Sequence, residues 1–236
     1  MKVELCAASL EAVKIAGELQ FDRIELCQAL EQGGLTPSPG MIEYALACGI
    51  ETHVLIRPRP GGFFYNDDEI EVMLRDVREC REIGAHGVVI GALDNRSEIN
   101  EKAVVKLVEQ AKGMQVTFHR AFDDTSVYDR SIDTLIRLGV DRILSSGLCT
   151  NVEVGMPILK QMTRYASGQI EIMAGGGINM ANLESLIREI EPDAVHFSAT
   201  IKHQLDEESN FSETILKIDP TRAEKMLAMA KKLYSI

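Results

Sequence analysis

The apolar residues of this chain fall into two periods that alternate from one end to the other. Eight short runs rich in β-branched residues, at 3–7, 23–27, 52–57, 87–91, 115–119, 142–146, 170–174 and 194–198, read as strands. The stretches between them have helical spacing. Ile70, Met73, Leu74, Val77, Cys80 and Ile83 make one apolar stripe, which places Cys80 in the core. Punctuation agrees with this reading. Gly84 and Gly139 each end a helical stretch ahead of a strand, where a left-handed cap is needed. Ser38-Pro39 and Asp219-Pro220 mark helix starts, and Asn66 with Glu69 has capping-box spacing. Repeated strand and helix units without a reversal predict an α/β chain closing as a single-domain (β/α)8, or TIM, barrel over 1–236; a doubly wound sheet is the alternative.

One internal repeat orients the strands. Val3-Glu4-Leu5-Cys6 recurs as Ile24-Glu25-Leu26-Cys27. Side chains alternate between the faces of a strand, so Val3, Leu5, Ile24 and Leu26 meet the helices while Glu4, Cys6, Glu25 and Cys27 point into the barrel. The same parity turns His53, Leu55, Arg57, Thr117, His119, Glu171, His196 and Ser198 inward. The predicted interior is therefore unusually polar.

Composition narrows the partners. The 236 residues are 45% hydrophobic and 26% charged, values of an ordinary globular chain with room for one large core. A formal net charge of −11 argues against nucleic acid and anionic membrane surfaces, which need an excess of Lys and Arg. A metal ion or a small anionic molecule is the expected partner. The N-terminus lacks the apolar centre of a secretion signal and no run approaches about 18 apolar residues, so a cytoplasmic location is expected. Five cysteines without a CxxC pair are expected to be free thiols.

Barrels of this kind keep their chemistry where the strands end. Glu4 and Glu25 read either as buried bases or ligands, or as part of a polar layer that fills the barrel. The segment from Thr117 to Asp123 is the densest cluster: His119 as general acid or base, Asp123 or Glu25 orienting it, and Arg57 and Arg120 stabilising developing negative charge. Arg57 and Arg59 suit bidentate capture of an anion, although Arg57 has Glu25 as an alternative partner. Gly175, Gly176 and Gly177 after the seventh strand, with Ser198, Ala199 and Thr200 after the eighth, fall where such barrels hold phosphate on backbone N–H groups. Cys6 and Cys27 end adjacent strands at matching positions, about 4.8 Å apart by strand spacing, and read either as a thiol pair for a soft ion or as small core fillers. Residues 201–218, with the acidic run 206–208, read as a long connection able to cover the mouth.

Taken in order, VELCA, RIELCQALEQGGLTPSPG, IRPRPGGFFYNDDEIEVM, GVVIGALD, TFHRAFDD, RILSSG, AGGGIN and VHFSAT closely resemble the copper homeostasis CutC family, from residue 2 to about 200. The resemblance implies a cytoplasmic (β/α)8 barrel that self-associates, linked by name to copper. It places Cu(I) ligands on Cys6 and Cys27 and a polar mouth on Glu25, Arg57, Arg59, His119, Arg120 and Asp123. Two departures stand out: Pro60-Gly61-Gly62-Phe63 replaces the family's usual Gly-Gly-Asp-Phe, and Asn100 stands where an aspartate is common. The two function classes left open are copper binding and catalysis on a small anionic or phosphorylated metabolite.

Overall fold

The computed structural model describes residues 1–204 and 214–234. Eight parallel strands, β1 (Lys2–Ala7), β2 (Arg23–Leu26), β3 (Thr52–Leu55), β4 (Gly87–Ile90), β5 (Gln115–Phe118), β6 (Arg142–Ser145), β7 (Glu171–Gly175) and β8 (Ala194–Phe197), pair in sequence order and close on themselves. Closure is carried by β1 against β8, with Glu4 opposite His196. No strand-order reversal occurs, so the doubly wound alternative is excluded. Eight helices alternate with the strands: α1 (Leu10–Glu18), α2 (Pro39–Ala47), α3 (Asp67–Ile83), α4 (Glu101–Gln110), α5 (Tyr128–Arg137), α6 (Val152–Ala166), α7 (Leu183–Ile190) and α8 (Pro220–Tyr234).

Local chemistry sets these elements. Ser38 caps α2 with Pro39 in its first turn, and Asn66 and Glu69 form a reciprocal capping box on α3. Gly84 closes α3 at φ 97°, a conformation that L side chains with a Cβ rarely adopt. The predicted stripe of α3 buries Ile70, Met73, Val77 and Cys80. Asn100, one of the departures from the family pattern, caps α4 by accepting from the Ala103 N–H, a role an aspartate fills equally well.

The parity holds. Val3, Leu5, Ile24 and Leu26 join the core between strands and helices, each aliphatic side chain there contributing about 1.5–3 kcal/mol by burial. Inside the barrel two smaller apolar groups remain, Cys6, Cys27, Leu55 and Val89 on one side and Leu144, Met173 and Ala194 on the other. Polar side chains fill the rest. Arg23 and Arg142, both fully buried, plug the end where the strands begin. Arg23 bonds Glu4 and meets Met173 Sδ at 3.5 Å; Arg142 donates to Thr117 Oγ1 at 2.9 Å and to Glu171 at 2.6 Å. Glu171 thus serves the rim of this plug and is partly exposed.

One element was not foreseen. After β8 the chain forms an antiparallel pair, β9 (Thr200–Gln204) with β10 (Thr214–Ile218), before α8. It is tied to the loop after β2, where the Leu216 N–H donates to Glu31 Oε1 at 2.7 Å. The acidic run 206–208 lies outside the described residues.

Candidate functional site

At the end where the strands finish, a cavity of about 140 Å³ is lined by Cys6, Glu25, Cys27, Arg57, His119, Arg120 and His196 among its polar residues, with Leu30, Leu55, Phe63 and Leu144 as apolar wall. Its floor is a chain of contacts descending into the barrel. Cys6 Sγ lies 3.8 Å from Cys27 Sγ. Glu25 Oε2 lies 3.4 Å from His196 Nε2, and His196 Nδ1 lies 2.7 Å from Glu4 Oε1. Glu4 is in turn bonded by Arg23.

The electrostatics follow from burial and from these partners. Burial alone would raise the Glu4 carboxyl, but Arg23 and His196 outweigh it and hold Glu4 far below the usual carboxylate range. Glu25 has no guanidinium bonded to it among the described residues, and burial raises its pKa. Burial opposes the His196 imidazolium, yet Glu25 and Glu4 together overcome it and raise the ring's pKa. The Cys6 thiol is pushed well up, first by its hydrogen bond with Cys27 and then by burial.

His119 is a different kind of group. Its Nδ1 accepts the Ala121 N–H at 3.0 Å, so a neutral ring carries its proton on Nε2, which is buried without a partner among the described residues. Burial, aided by the nearby Arg57 cation, lowers its pKa to about 3. At neutral pH the ring is therefore neutral, with an Nε2–H donor free to bond a ligand. The backbone of Ala121 orients it; Asp123 and Glu25, the expected orienting groups, do not touch it. Phe63 packs on its ring at 4.8 Å between centroids.

Asp123 faces the loop after β6. One carboxylate oxygen accepts from Ser145 Oγ at 2.6 Å and from the N–H groups of Ser146 and Leu148, while the other accepts from Ser146 Oγ and from Arg120 Nε at 2.8 Å. Every lone pair is spoken for, so Asp123 is an anchor that positions Arg120. Arg57 is a strut as well. Its guanidinium donates to the carbonyls of Gln32, Gly34 and Gly61, fastening the loops after β2 and β3, and its expected alternative pairing with Glu25 is not made. Arg59 turns away to Glu69 at the start of α3.

In the loop after β7, the Gly176 carbonyl accepts the Val152 N–H and the Gly177 carbonyl accepts from the side chains of Asn179 and Asn182. Both glycines have positive φ, and the Arg120 guanidinium lies where a Gly176 Cβ would stand, 2.8 Å from its Cζ. Among the described residues, the N–H groups of Gly176, Gly177, Ser198 and Ala199 meet no protein acceptor. Ser198 Oγ and Thr200 Oγ1 lie 3.0 Å apart beside them.

Residues 1–201 match the family model described as the CutC family. The chain belongs to the CutC family. The family protein CutC of Glaesserella parasuis is 42% identical over 205 residues, covering 86% of this chain and 84% of that one. The family protein CutC of Bacteroides fragilis is 40% identical over 198 residues, covering 83% and 79%. A solved CutC structure from Streptococcus agalactiae, whose name refers it to copper homeostasis, superposes with a TM-score of 0.79 at 33% identity, covering 84% of this chain and 99% of that one. The N-(5'-phosphoribosyl)anthranilate isomerase of Pyrococcus furiosus, at 15% identity and a TM-score of 0.58, shares the fold alone.

In this CutC-family chain the structure thus brings Cys6, Cys27, Glu25, Arg57, His119 and Arg120 to one cavity, while Asp123 lines an adjoining pocket that shares Phe63 and Arg120 with it. Sequence reasoning turned His196 inward without giving it a role. Its placement was legible in the parity of β8, but its contact with Glu25 depends on the depth of β8 relative to β2, which only barrel closure fixes. Cys149, in the loop after β6, is absent from the cavity lining. No helix among the described residues is long and apolar enough to cross a membrane.

Proposed function

We propose that this CutC-family chain binds Cu(I) in the cytoplasm through the thiolates of Cys6 and Cys27. The observation that carries this reading is the 3.8 Å separation of the two sulfurs at the floor of an open-mouthed cavity. Taking the about 2.3 Å metal–sulfur length of zinc thiolates as a guide, two such bonds span up to ~4.6 Å, so one ion fits between sulfurs at this spacing. Thiolate sulfur is the donor a soft ion such as Cu(I) selects, and coordination displaces the thiol protons. The test is an anaerobic Cu(I) competition titration. Cys6→Ser/Cys27→Ser loses tight binding, whereas Cys48→Ser, at an exposed helix end, keeps it. Equal affinity in the double variant and the parent protein would reduce the pair to core packing. Self-association belongs to the same reading and is checked by sedimentation equilibrium.

A second reading, an enzyme acting on a small anionic or phosphorylated metabolite, is favoured by the open N–H groups after β7 and β8. Gly175, Gly176, Gly177, Ser198, Ala199 and Thr200 would hold the anion on amides and hydroxyls, with Arg120 packed against Gly176 and held by Asp123. Arg57 would keep the loops closed around it, the Nε2–H of His119 would polarise a substrate oxygen, and Glu25 would exchange the proton. Phosphate and a panel of sugar phosphates raise the melting temperature if this holds. No shift at millimolar concentration removes the anion site.

A further inference from the structure

The floor of the cavity holds a second set of donors that the thiol pair does not use. One sulfur of Cys6, one oxygen of Glu25 and one nitrogen of His196 all lie within 4.8 Å of one another, and all three residues are buried. Cys27 lies outside this group, so Cys6 belongs to two overlapping sets: sulfur with sulfur, and sulfur with oxygen and nitrogen. These sets suit different ions. A pair of thiolates selects a soft monovalent ion, while one sulfur, one imidazole and one carboxylate make the mixed donor set of a borderline divalent ion of the zinc class.

The spacing agrees with that class. Metal–nitrogen and metal–oxygen bonds of about 2.0–2.2 Å, set at the tetrahedral angle, place their donors ~3.3–3.5 Å apart. The Glu25 oxygen and His196 Nε2 stand at 3.4 Å. His196 is also prepared for the role. Its Nδ1 faces Glu4 Oε1 at 2.7 Å and Glu4 is fixed by Arg23, so the proton of the neutral ring sits on Nδ1 and the Nε2 lone pair is left on the nitrogen that lies 3.4 Å from Glu25. A carboxylate behind a metal-binding imidazole is the arrangement that sets ring tautomer and orientation in zinc sites. The backbone leaves room for the ring here, because a Cβ on Gly175 would stand 3.2 Å from the His196 Cβ. The cavity supplies the open fourth position, lined by the Nε2–H-bearing ring of His119 and by Arg120.

We propose that Cys6, Glu25 and His196 form a three-ligand site for a divalent ion of the zinc class, with its fourth position open to the cavity, in addition to the Cys6–Cys27 pair. On binding, the Cys6 thiol loses its proton to solvent and the ion gains one sulfur, one oxygen and one nitrogen bond. No electron is transferred. The site shares Cys6 with the Cu(I) reading but rests on Glu25 and His196, which that reading does not use.

Metal-free protein titrated anaerobically with Co(II), a spectroscopic substitute for Zn(II), and then with Zn(II) against a chromophoric chelator tests this. One equivalent of Co(II) gives a sulfur-to-metal charge-transfer band and tetrahedral visible absorption, which Zn(II) bleaches. His196→Gln and Glu25→Gln each weaken Zn(II) binding by more than the roughly 10–100-fold that loss of a supporting contact produces. Cys27→Ser keeps the band and the Zn(II) affinity while losing tight Cu(I) binding, and Cys6→Ser loses both. Retention of Cu(I) binding by His196→Gln shows that this variant is folded. Absence of the charge-transfer band in the parent protein overturns the proposal, as does a Cys27→Ser variant that loses Zn(II) as completely as His196→Gln. A failed Cu(I) titration with an intact Co(II) band would sink the thiol-pair reading alone.

Discussion

The imidazole of His119 lies flat across Gly91: a Cβ at position 91 would stand 2.3 Å from Cε1 and 2.5 Å from Nδ1. The glycine at the end of β4 is thus what lets a histidine from β5 lie across the barrel and under Phe63. Gly91→Ala forces the ring out of this slot and lowers stability by about 1–3 kcal/mol, the usual cost of overfilling a packed interior. Gly17→Ala is the control. It lies inside α1 with nothing within 4 Å of its would-be Cβ, and it is neutral or stabilising by up to about 1 kcal/mol. Urea unfolding midpoints compare the two, and equal values would show that the ring has room to move.

Gly91 also shows where sequence reading stops. Period and parity sufficed to close the barrel, to bury Cys80 on α3 and to turn Glu4, Cys6, Glu25 and Cys27 inward, because each of these follows from alternation along one element. The contacts of the site depend instead on how far one strand is displaced along another. That displacement puts Glu25 beside His196 and the His119 ring over Gly91, and no single run of sequence encodes it. Asp123 was misplaced for a related reason: the 3₁₀ turn Arg120–Asp124 carries it under the loop after β6, away from the histidine four residues before it. The β9–β10 pair was missed because β9 buries none of its residues and β10 reaches the core only through Ile218, so no alternation marks them.

The neutral ring of His119 gives stability a pH dependence whose sign can be worked out. Its pKa is about 3 in the folded chain and about 6.5 when exposed. Between these values the unfolded chain binds a proton that the folded ring refuses, so this contribution is complete above the unfolded pKa and declines as pH falls through the window. His53, lowered mainly by burial, acts in the same direction. His196 acts oppositely, since its raised pKa gives a contribution present in acid and lost as pH rises through the folded value. His119→Asn removes one of these titrations. Its stability deficit relative to the parent protein shrinks between pH 7 and 5, by up to roughly 1.4 kcal/mol per pH unit. A deficit constant over that range would mean that His119 titrates normally.

Arg23 and Glu4 are both fully buried and bonded to each other at the closed end of the barrel. Taking two charges out of water costs several kcal/mol per ion, which their attraction offsets only while both are present. Glu4→Gln leaves the guanidinium without its carboxylate in a place water does not reach, and Glu51, the other carboxylate near it, is 3.7 Å away and partly exposed. The expected cost is about 3–5 kcal/mol. Arg23→Met leaves Glu4 with only His196 as a partner and is similarly costly. The double variant removes both charges and costs less than the sum of the singles by about 0.5–3 kcal/mol, the coupling expected of residues in contact. The exposed pair Arg188 and Glu184 on α7, at 2.9 Å, is the comparison: the same cycle there gives no more than about 0.5 kcal/mol. Additive costs at Glu4 and Arg23 would show that the plug holds by packing and hydrogen bonds to other groups. A coupling well above that of the surface pair would place its strength in the charge pair that also orients His196.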